Sequence, residues 1–177
     1  MVEILDSQPS SLLHPHTPTW NPRPTPTTRM KTLTPLLMLA ASAIVTPHNN
    51  LYVYAYHTGA GLNDAVLTKD VNTASSIYLN GTNAFIDFNT KLLWGVVATG
   101  DNKFTSWNPT LINAGQGSNG FSVKGNSFMW SEASGFGGWL VCNWYHNAPQ
   151  LFYLNRYYDA TIPFSCSKIQ LKAEYIN

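Results

Sequence analysis

The side chains that could do acid–base chemistry are few and widely spaced along the chain. His57, Glu132, His146 and Arg156 are the residue types that small secreted ribonucleases use. In such enzymes a carboxylate and a histidine exchange a proton while an arginine stabilises the phosphate. The spacing of these residues does not favour that chemistry, and His48 is set aside because it lies at the frayed start of the domain. A small hydrolase using His57 and Glu132 is therefore the alternative hypothesis, and the sequence favours a protein that is not an enzyme.

Other catalytic and cofactor patterns are weak. Asp87, Glu132 and Asp159 are candidates for the two carboxylates of a glycosidase only because acidic residues are scarce. No group of histidines or acidic residues has metal-ligand spacing, so we expect no metal. Residues 115–120 fit the pattern G-x-G-x-x-G, but a strand-like segment follows where a dinucleotide site needs a helix. We therefore expect a flexible loop there and no cofactor.

His57 and Asp64 lie at the two ends of a glycine-rich bend that contains Gly59 and Gly61. One interpretation is a small polar site formed by the two end residues. The other is a tight β turn in which the glycines adopt positive φ, and Asn63 and Asp64 bond their own backbone. The turn is favoured because no lysine or helix start accompanies the glycines to hold a phosphate.

The most distinctive surface feature is a stripe of tyrosines. Tyr52, Tyr54 and Tyr56 alternate with aliphatic residues over 51–56, so a strand would place the three rings on one face. If the aliphatic face is core, the rings line a surface that can stack on sugars while their hydroxyls bond sugar hydroxyls. If the strand is buried on both faces, the stripe is only packing. Both interpretations remain open at this stage.

The charge balance limits the class of partner. From Pro47 onward the chain carries seven Lys and Arg residues and seven Asp and Glu residues, so this part is neutral. A neutral surface with a single arginine cannot release many counterions from a phosphate backbone. The composition therefore disfavours nucleic acid and anionic membranes and favours uncharged partners.

A targeting signal lies inside the chain. Met30 begins a segment with a basic residue, an apolar run and a small-residue pattern at 41–43, which is typical of a secretory signal peptide. The apolar run of 33–45 is too short to span a membrane, which takes about 20 residues. We expect translation to begin at Met30 and no membrane contact after cleavage. The predicted segments are a Pro- and Thr-rich leader at 1–29 that is disordered or mis-annotated, a signal peptide at 30–43 and a secreted domain at 44–177.

Secretion would also determine the state of the cysteines and one asparagine. Cys142 and Cys166 are the only two cysteines and can pair in an oxidising compartment, with two free buried thiols as the alternative. Asn80 begins the glycosylation pattern Asn-Gly-Thr. The same Asn-Gly pair is also a strong hairpin-turn signal, so a turn alone would explain it.

The remainder of the chain has an all-β pattern. Short apolar or alternating runs are separated by Gly, Asn and Pro, and no window keeps the spacing of a substantial helix. About ten strands in this length predict a closed arrangement, because an open sheet would leave long edges. We expect a single compact antiparallel β-sandwich or barrel, with a β-trefoil-like arrangement as the alternative. The predicted strands are Leu51–Tyr56, Ala65–Thr68, Ser76–Leu79, Ala84–Phe88, Leu93–Ala98, Gly120–Val123, Ser127–Trp130, Trp139–Trp144, Leu151–Leu154 and Lys168–Tyr175.

Three segments, 54–67, 138–142 and 163–171, resemble a family of small secreted proteins of filamentous ascomycete fungi. That family is known as a domain of unknown function, and some members are labelled IgE-binding or cell-wall proteins. The resemblance covers nearly all of 51–176 and implies secretion, a β fold and pairing of Cys142 with Cys166, with no catalytic residues to transfer. Family members have a longer lead before the His-Thr-Gly-Ala-Gly segment than the interval from Ile44 to His57. This difference predicts either a missing N-terminal strand or a gene model that is faulty at its start.

Taken together, these features favour a non-enzymatic secreted fungal protein that acts at the cell wall or outside the cell. Its expected partner is a cell-wall glycan or a host surface, bound through exposed aromatic side chains. The predicted ligand-binding residues are Tyr52, Tyr54, Tyr56, His57 and Asp64. A structural wall or matrix protein without a specific ligand remains a further alternative, in which every aromatic residue would be core.

Overall fold

In the computed structural model, the described residues are 37–42, 47–98, 106–131, 133 and 135–176. They form an all-β structure with no α-helix in these ranges, which confirms the predicted fold class. Accordingly, no helix in the described part is long and apolar enough to span a bilayer. The strands are β1 (Leu37–Ser42), β2 (Leu51–Gly59), β3 (Leu62–Thr68), β4 (Ile77–Asn80), β5 (Asn83–Ile86), β6 (Trp94–Val97), β7 (Trp107–Pro109), β8 (Leu111–Ala114), β9 (Ser122–Lys124), β10 (Ser127–Met129), β11 (Phe136–Asn143), β12 (Pro149–Asn155) and β13 (Cys166–Tyr175).

The strands hydrogen-bond into one large antiparallel sheet. Its order is β2-β1-β4-β5-β6-β8-β3-β12-β11-β13-β10-β9, and β7 pairs with β12 outside this path. The additional pairings β2–β3 and β1–β13 join strands that are distant in that order. The sheet therefore folds back on itself, and few of its strands are left with an open edge.

If β7 is left aside because it pairs outside the main path, the other twelve strands form three sets of four. The sets begin at β1, β5 and β10 and are called repeats. In each repeat the second and third positions form a hairpin, namely β2–β3, β6–β8 and β11–β12. The last strand of each repeat pairs with the first strand of another, namely β4–β5, β9–β10 and β13–β1. This threefold pairing is compatible with the β-trefoil-like alternative, and the single antiparallel sheet is compatible with the predicted sandwich as well.

Two Asn/Gly dipeptides form hairpin turns, as the sequence predicts. Asn80 and Asn83 pair across the β4–β5 turn, and Gly81 takes a φ of 61° as its first central residue. In the β9–β10 turn, Gly125 and Asn126 have φ values of 53° and 65°. Positive φ at both central residues matches the twist of the flanking strands, which explains the choice of Gly and Asn there.

The predicted strands all occur, with ends that differ by three residues or fewer. Three further strands, β1, β7 and β8, were not predicted. Residues 115–120 form a loop followed by strand β9, so no helix is present to complete a dinucleotide site. That loop packs closely on β6, because Ser118 N donates to Val96 O at 2.8 Å and Ser118 is buried.

Strand β1 lies inside the segment predicted to be a signal peptide. It pairs with β13 along its whole length and also pairs with β2 and β4. Leu37, Leu39 and Ala41 are buried in the main core. A strand therefore lies ahead of β2 within the predicted signal peptide, and cleavage after Ala43 would remove it.

The main core is formed by the inward-facing residues of most strands, and β13 shows the rule clearly. Ile169, Leu171 and Ala173 are buried, while Lys168 and Lys172 on the other face are exposed. The sequence pattern predicts one buried face made of these three residues and Tyr175; the structure confirms it for the three, whereas Tyr175 at the strand end is exposed. The rings of Phe121, Phe128, Trp130, Phe136, Trp139 and Tyr153 contact one another in this core.

A second, smaller core lies on the outer face of β11 and β12. Leu140, Cys142, Phe152 and Leu154 are buried there, with Trp107, Ala160, Ile162 and Cys166 packed against them. The disulfide between Cys142 and Cys166, predicted from the sequence, joins directly opposed positions of β11 and β13 within this layer. Strands β11 and β12 are therefore buried on both faces, unlike β2 and β13.

Removing the disulfide should destabilise the fold by about 3 kcal/mol, since it closes a loop of 24 residues in the unfolded chain. The test is guanidinium unfolding of the oxidised protein and of the Cys142→Ala/Cys166→Ala double variant. Both should reach the same folded circular dichroism spectrum in buffer. Equal unfolding midpoints would contradict a structural role for the bond.

Candidate functional site

The tyrosine stripe faces away from the main core. Leu51 and Val53 of β2 are buried in that core, so Tyr52, Tyr54 and Tyr56 point to the opposite face, where each is half-buried. The rings of Tyr54 and Tyr56 contact edge to face, with centroids 6.4 Å apart. The stripe is therefore an outer surface, and the possibility of a strand buried on both faces does not apply to β2.

Strand pairing extends this surface across the sheet. Tyr54 is opposite Val66, Val66 is opposite Gln150, and Gln150 is opposite Cys142. Directly opposed residues in antiparallel strands project to the same side. The tyrosine stripe and the outer layer that contains the disulfide thus share one face of β2, β3, β12 and β11.

Two tryptophans stand on the same outer face near the β11–β12 turn. Trp144 contacts Trp107 edge to face at 5.4 Å, and both rings contact Phe152, at 5.7 Å and 4.9 Å. Phe152 is fully buried, whereas Trp144 is 43% exposed. The buried ring therefore supports an exposed indole whose orientation is fixed on two sides. We call the surface formed by these side chains the aromatic face; it comprises Tyr52, Tyr54, Tyr56, Trp107 and Trp144.

The turn that carries Trp144 is held by its own backbone. Trp144 N donates to Ala148 O at 3.0 Å, and Asn147 N donates to Trp144 O at 3.0 Å. A single 3-10 turn, Tyr145–Asn147, lies between them, and Asn147 takes a φ of 55°. Tyr145 is 66% exposed at its tip. The turn thus presents two aromatic rings to solvent on a short, well-bonded support.

His48 hydrogen-bonds to residues beside this turn, and this role could not be predicted from the sequence. It is buried rather than frayed. Its Nε2 donates to Asn143 Oδ1 at 3.2 Å, which in the neutral imidazole leaves Nδ1 to accept from the Ser167 hydroxyl at 3.0 Å. Asn143 N also donates to Ser165 O at 3.2 Å. These bonds fix the residue immediately before Trp144.

The strand register does not bring His57 and Asp64 together, so the two do not form the polar site considered from the sequence. Tyr56 is opposite Asp64, while His57 is opposite Asn63, so the His57 and Asp64 side chains project to different faces. His57 is exposed. Gly61 takes a φ of 75°, as the turn interpretation predicts, whereas Gly59 does not adopt positive φ. Asn63 donates to Ile112 O at 2.9 Å rather than to its own backbone.

Asp64 instead joins the tyrosine stripe. It is half-buried and directly opposite Tyr56. Burial raises the pKa of its carboxyl group above the ordinary value of 3.8. Burial also raises the pKa of Tyr54, with a further contribution from neighbouring Tyr56. Carboxylate and phenol oxygens therefore lie at one end of the aromatic face, where they can bond hydroxyl groups of a ligand.

The residues of the hydrolase alternative are not assembled by the described structure. Glu132 lies outside the described residues, and the side chain of His146 is likewise not described. Arg156 is exposed at the end of β12 and lies over the Tyr157 ring at 5.8 Å. It borders a polar cavity of about 280 Å³ that Asp159 and Lys168 also line. Among the described residues there is no group of three or more His, Cys, Asp or Glu that could hold a metal ion.

The predicted glycosylation site is sterically accessible. Asn80 is exposed at the end of β4, in the turn that leads to β5. Gly81 and Thr82, the other residues of the pattern, are exposed as well. The turn interpretation is confirmed by the hairpin, and it is compatible with a glycan on the same asparagine.

The fold and this surface define an all-β domain with a disulfide and a face of ordered aromatic rings. The family model described as Domain of unknown function (DUF7907) matches residues 38–175. The chain therefore belongs to this family, and the match covers β2 to β13 and all of β1 except Leu37. No curated protein and no solved structure matches the chain.

Asp64→Asn should raise the thermal stability of the protein at neutral pH. Because burial raises its pKa, the folded state binds this proton more tightly than the unfolded state, and ionisation above pH 3.8 costs stability. The asparagine avoids that cost, so its melting temperature should exceed that of the wild type at pH 7 and the difference should shrink toward pH 3.5. Scanning calorimetry at both values is the measurement. The exposed-carboxylate variant Asp159→Asn is the control, and a less stable Asp64→Asn protein at pH 7 would contradict the argument.

Proposed function

We propose that the protein is a secreted, non-enzymatic domain that binds an uncharged polysaccharide of the cell wall through the aromatic face. One observation supports this most directly. The indole of Trp144 is substantially exposed although Trp107 and Phe152 hold it in one orientation. A protein without a ligand would gain stability by burying such a ring, at about 25 cal/mol per Å² of apolar surface.

The surroundings of Trp144 suit a neutral ligand. The sequence from Ala133 to Asn155 contains no Asp, Glu, Lys or Arg residue, so strands β11 and β12 carry no such charges. Aromatic rings provide large contact area at little cost in conformational entropy and can stack on the apolar face of a sugar ring. Because Trp107 and Trp144 are already ordered by their contacts, binding would immobilise few additional side chains.

The tyrosine end of the same face supplies polar groups. Tyr54 and Tyr56 can donate and accept hydrogen bonds, and the Asp64 carboxylate accepts them. A sugar presents several hydroxyl groups, so a ring stacked on this face could bond these oxygens. The cost of keeping the Asp64 carboxylate half-buried is consistent with selection for binding rather than for stability.

An extracellular location is part of the proposal. The Cys142–Cys166 disulfide closes within the outer layer, and such bonds persist in oxidising compartments. The exposed Asn80 pattern is accessible to glycosylation on the same route. The resemblance to fungal secreted proteins points to the wall of the producing organism, or a host surface, as the place of action.

Trp144→Ala should weaken polysaccharide binding at least about tenfold, which corresponds to about 1.4 kcal/mol. The first measurement is retention of the purified full chain on insoluble chitin, β-glucan and mannan. The affinity is then measured by titration with a soluble oligosaccharide of whichever polysaccharide retains the protein. Trp144→Phe should keep most of the affinity, because a ring remains available for stacking.

The matched control is Tyr175→Ala, which removes an exposed aromatic ring from β13, outside the aromatic face. It should bind as the wild type does. Retention on none of the polysaccharides would favour a structural protein without a specific ligand. Equal loss in the Trp144 and Tyr175 variants would show that binding is not specific to this face.

A further inference from the structure

The segment Leu37–Ser42 occupies a position between three other strands. It pairs with β13 at six consecutive residues, from Leu37 opposite Tyr175 to Ser42 opposite Gln170. On its other edge it pairs with β2 at Ala40 and Ala41 and with β4 at Leu37. Without this segment, β13 would present a row of unpaired backbone groups at six positions, and β2 would lose its pairing at Leu51 and Tyr52.

The groove that receives β1 also has defined positions for side chains. Leu37, Leu39 and Ala41 point into the main core and are 4%, 2% and 1% exposed. Leu39 lies at the centre of the domain, beside the same small cavity as Val53 and Ile77. These three residues form the inward face of β1, and Ala40 on the opposite face is 6% exposed and therefore buried as well.

A second, independent observation supports the same boundary. The family model begins at residue 38, the second residue of β1, and not after the small-residue pattern at 41–43. The domain that defines the family thus includes this strand.

We propose that the folded protein keeps Leu37–Ser42 as its first strand, bound in the groove between β13 and β2, and that any proteolytic maturation cuts N-terminal to Leu37. The groove is then an intramolecular binding site for an extended apolar segment, and its occupant is the chain's own N-terminal strand. The pattern at 41–43 would be recognisable to a signal peptidase only before the sheet closes.

The direct test is the N-terminus of the folded protein. The full reading frame is expressed in a eukaryotic secretory host, and disulfide-bonded folded protein is isolated from both medium and cells. Intact mass and N-terminal sequencing should show a chain that begins at or before Leu37. A folded protein that begins at Ile44 would overturn the proposal.

Two substitutions distinguish a retained first strand from a leader that is removed by cleavage. Leu39→Thr places a polar group in the core and should lower the melting temperature of the folded protein by about 10 °C. Met38→Thr, whose residue is half-buried opposite Glu174, should lower it far less. Both residues lie in the apolar run of the predicted signal peptide. If that peptide were cleaved, neither residue would be present in the folded protein, and neither change would alter its melting temperature. Equal melting temperatures of both variants and the wild type would overturn the proposal.

Discussion

The strict alternation of β13 is the constraint on which most of the structure depends. This strand pairs with β1, β10 and β11, so its backbone is bonded on both edges. Its inward residues, with Leu171 fully buried at their centre, belong to the main core. Shifting the register by one residue would exchange these with the lysines of the outer face. The position of Cys166, and with it the disulfide, follows from the same alternation.

Strands β11 and β12 of the third repeat differ from strand β2 of the first in being buried on both faces. Strand β2 has one buried face and one half-exposed face, whereas Leu140 and Cys142 of β11 are buried on the face opposite Trp139 and Val141. The segment after β12 provides part of this cover through Ala160 and Ile162. This second layer explains how the exposed Trp144 ring can be held in one orientation. Its two contacts, Trp107 and Phe152, are themselves packed in the second core.

Local patterns in the sequence were sufficient for the strands and turns whose residues alternate or carry positive φ. They were not sufficient for β1, because an apolar run followed by small residues satisfies a signal peptide and a core strand equally. Strand β7 was missed because it is short and ends at Pro109, which is not typical of a strand interior.

The tyrosine stripe of the candidate site could be predicted, because alternation within β2 decides which face its rings occupy. The tryptophan part could not, because Trp107 and Trp144 are brought together only by the pairing of β7, β12 and β11. The same limit applied to His48, whose partners Asn143 and Ser167 lie far along the chain. Contacts of this kind leave no periodic signal in one sequence.

The central claim is that a sugar stacks on the aromatic face. Nuclear magnetic resonance of the isotope-labelled full chain, titrated with a soluble β-glucan or chitin oligosaccharide, tests it most directly. If a sugar stacks on this face, chemical shifts change at the indole N–H groups of Trp144 and Trp107 and at the backbone of β2 around Tyr54. Changes confined to other exposed rings, such as Tyr157 and Phe164, or no change with any oligosaccharide, would contradict it.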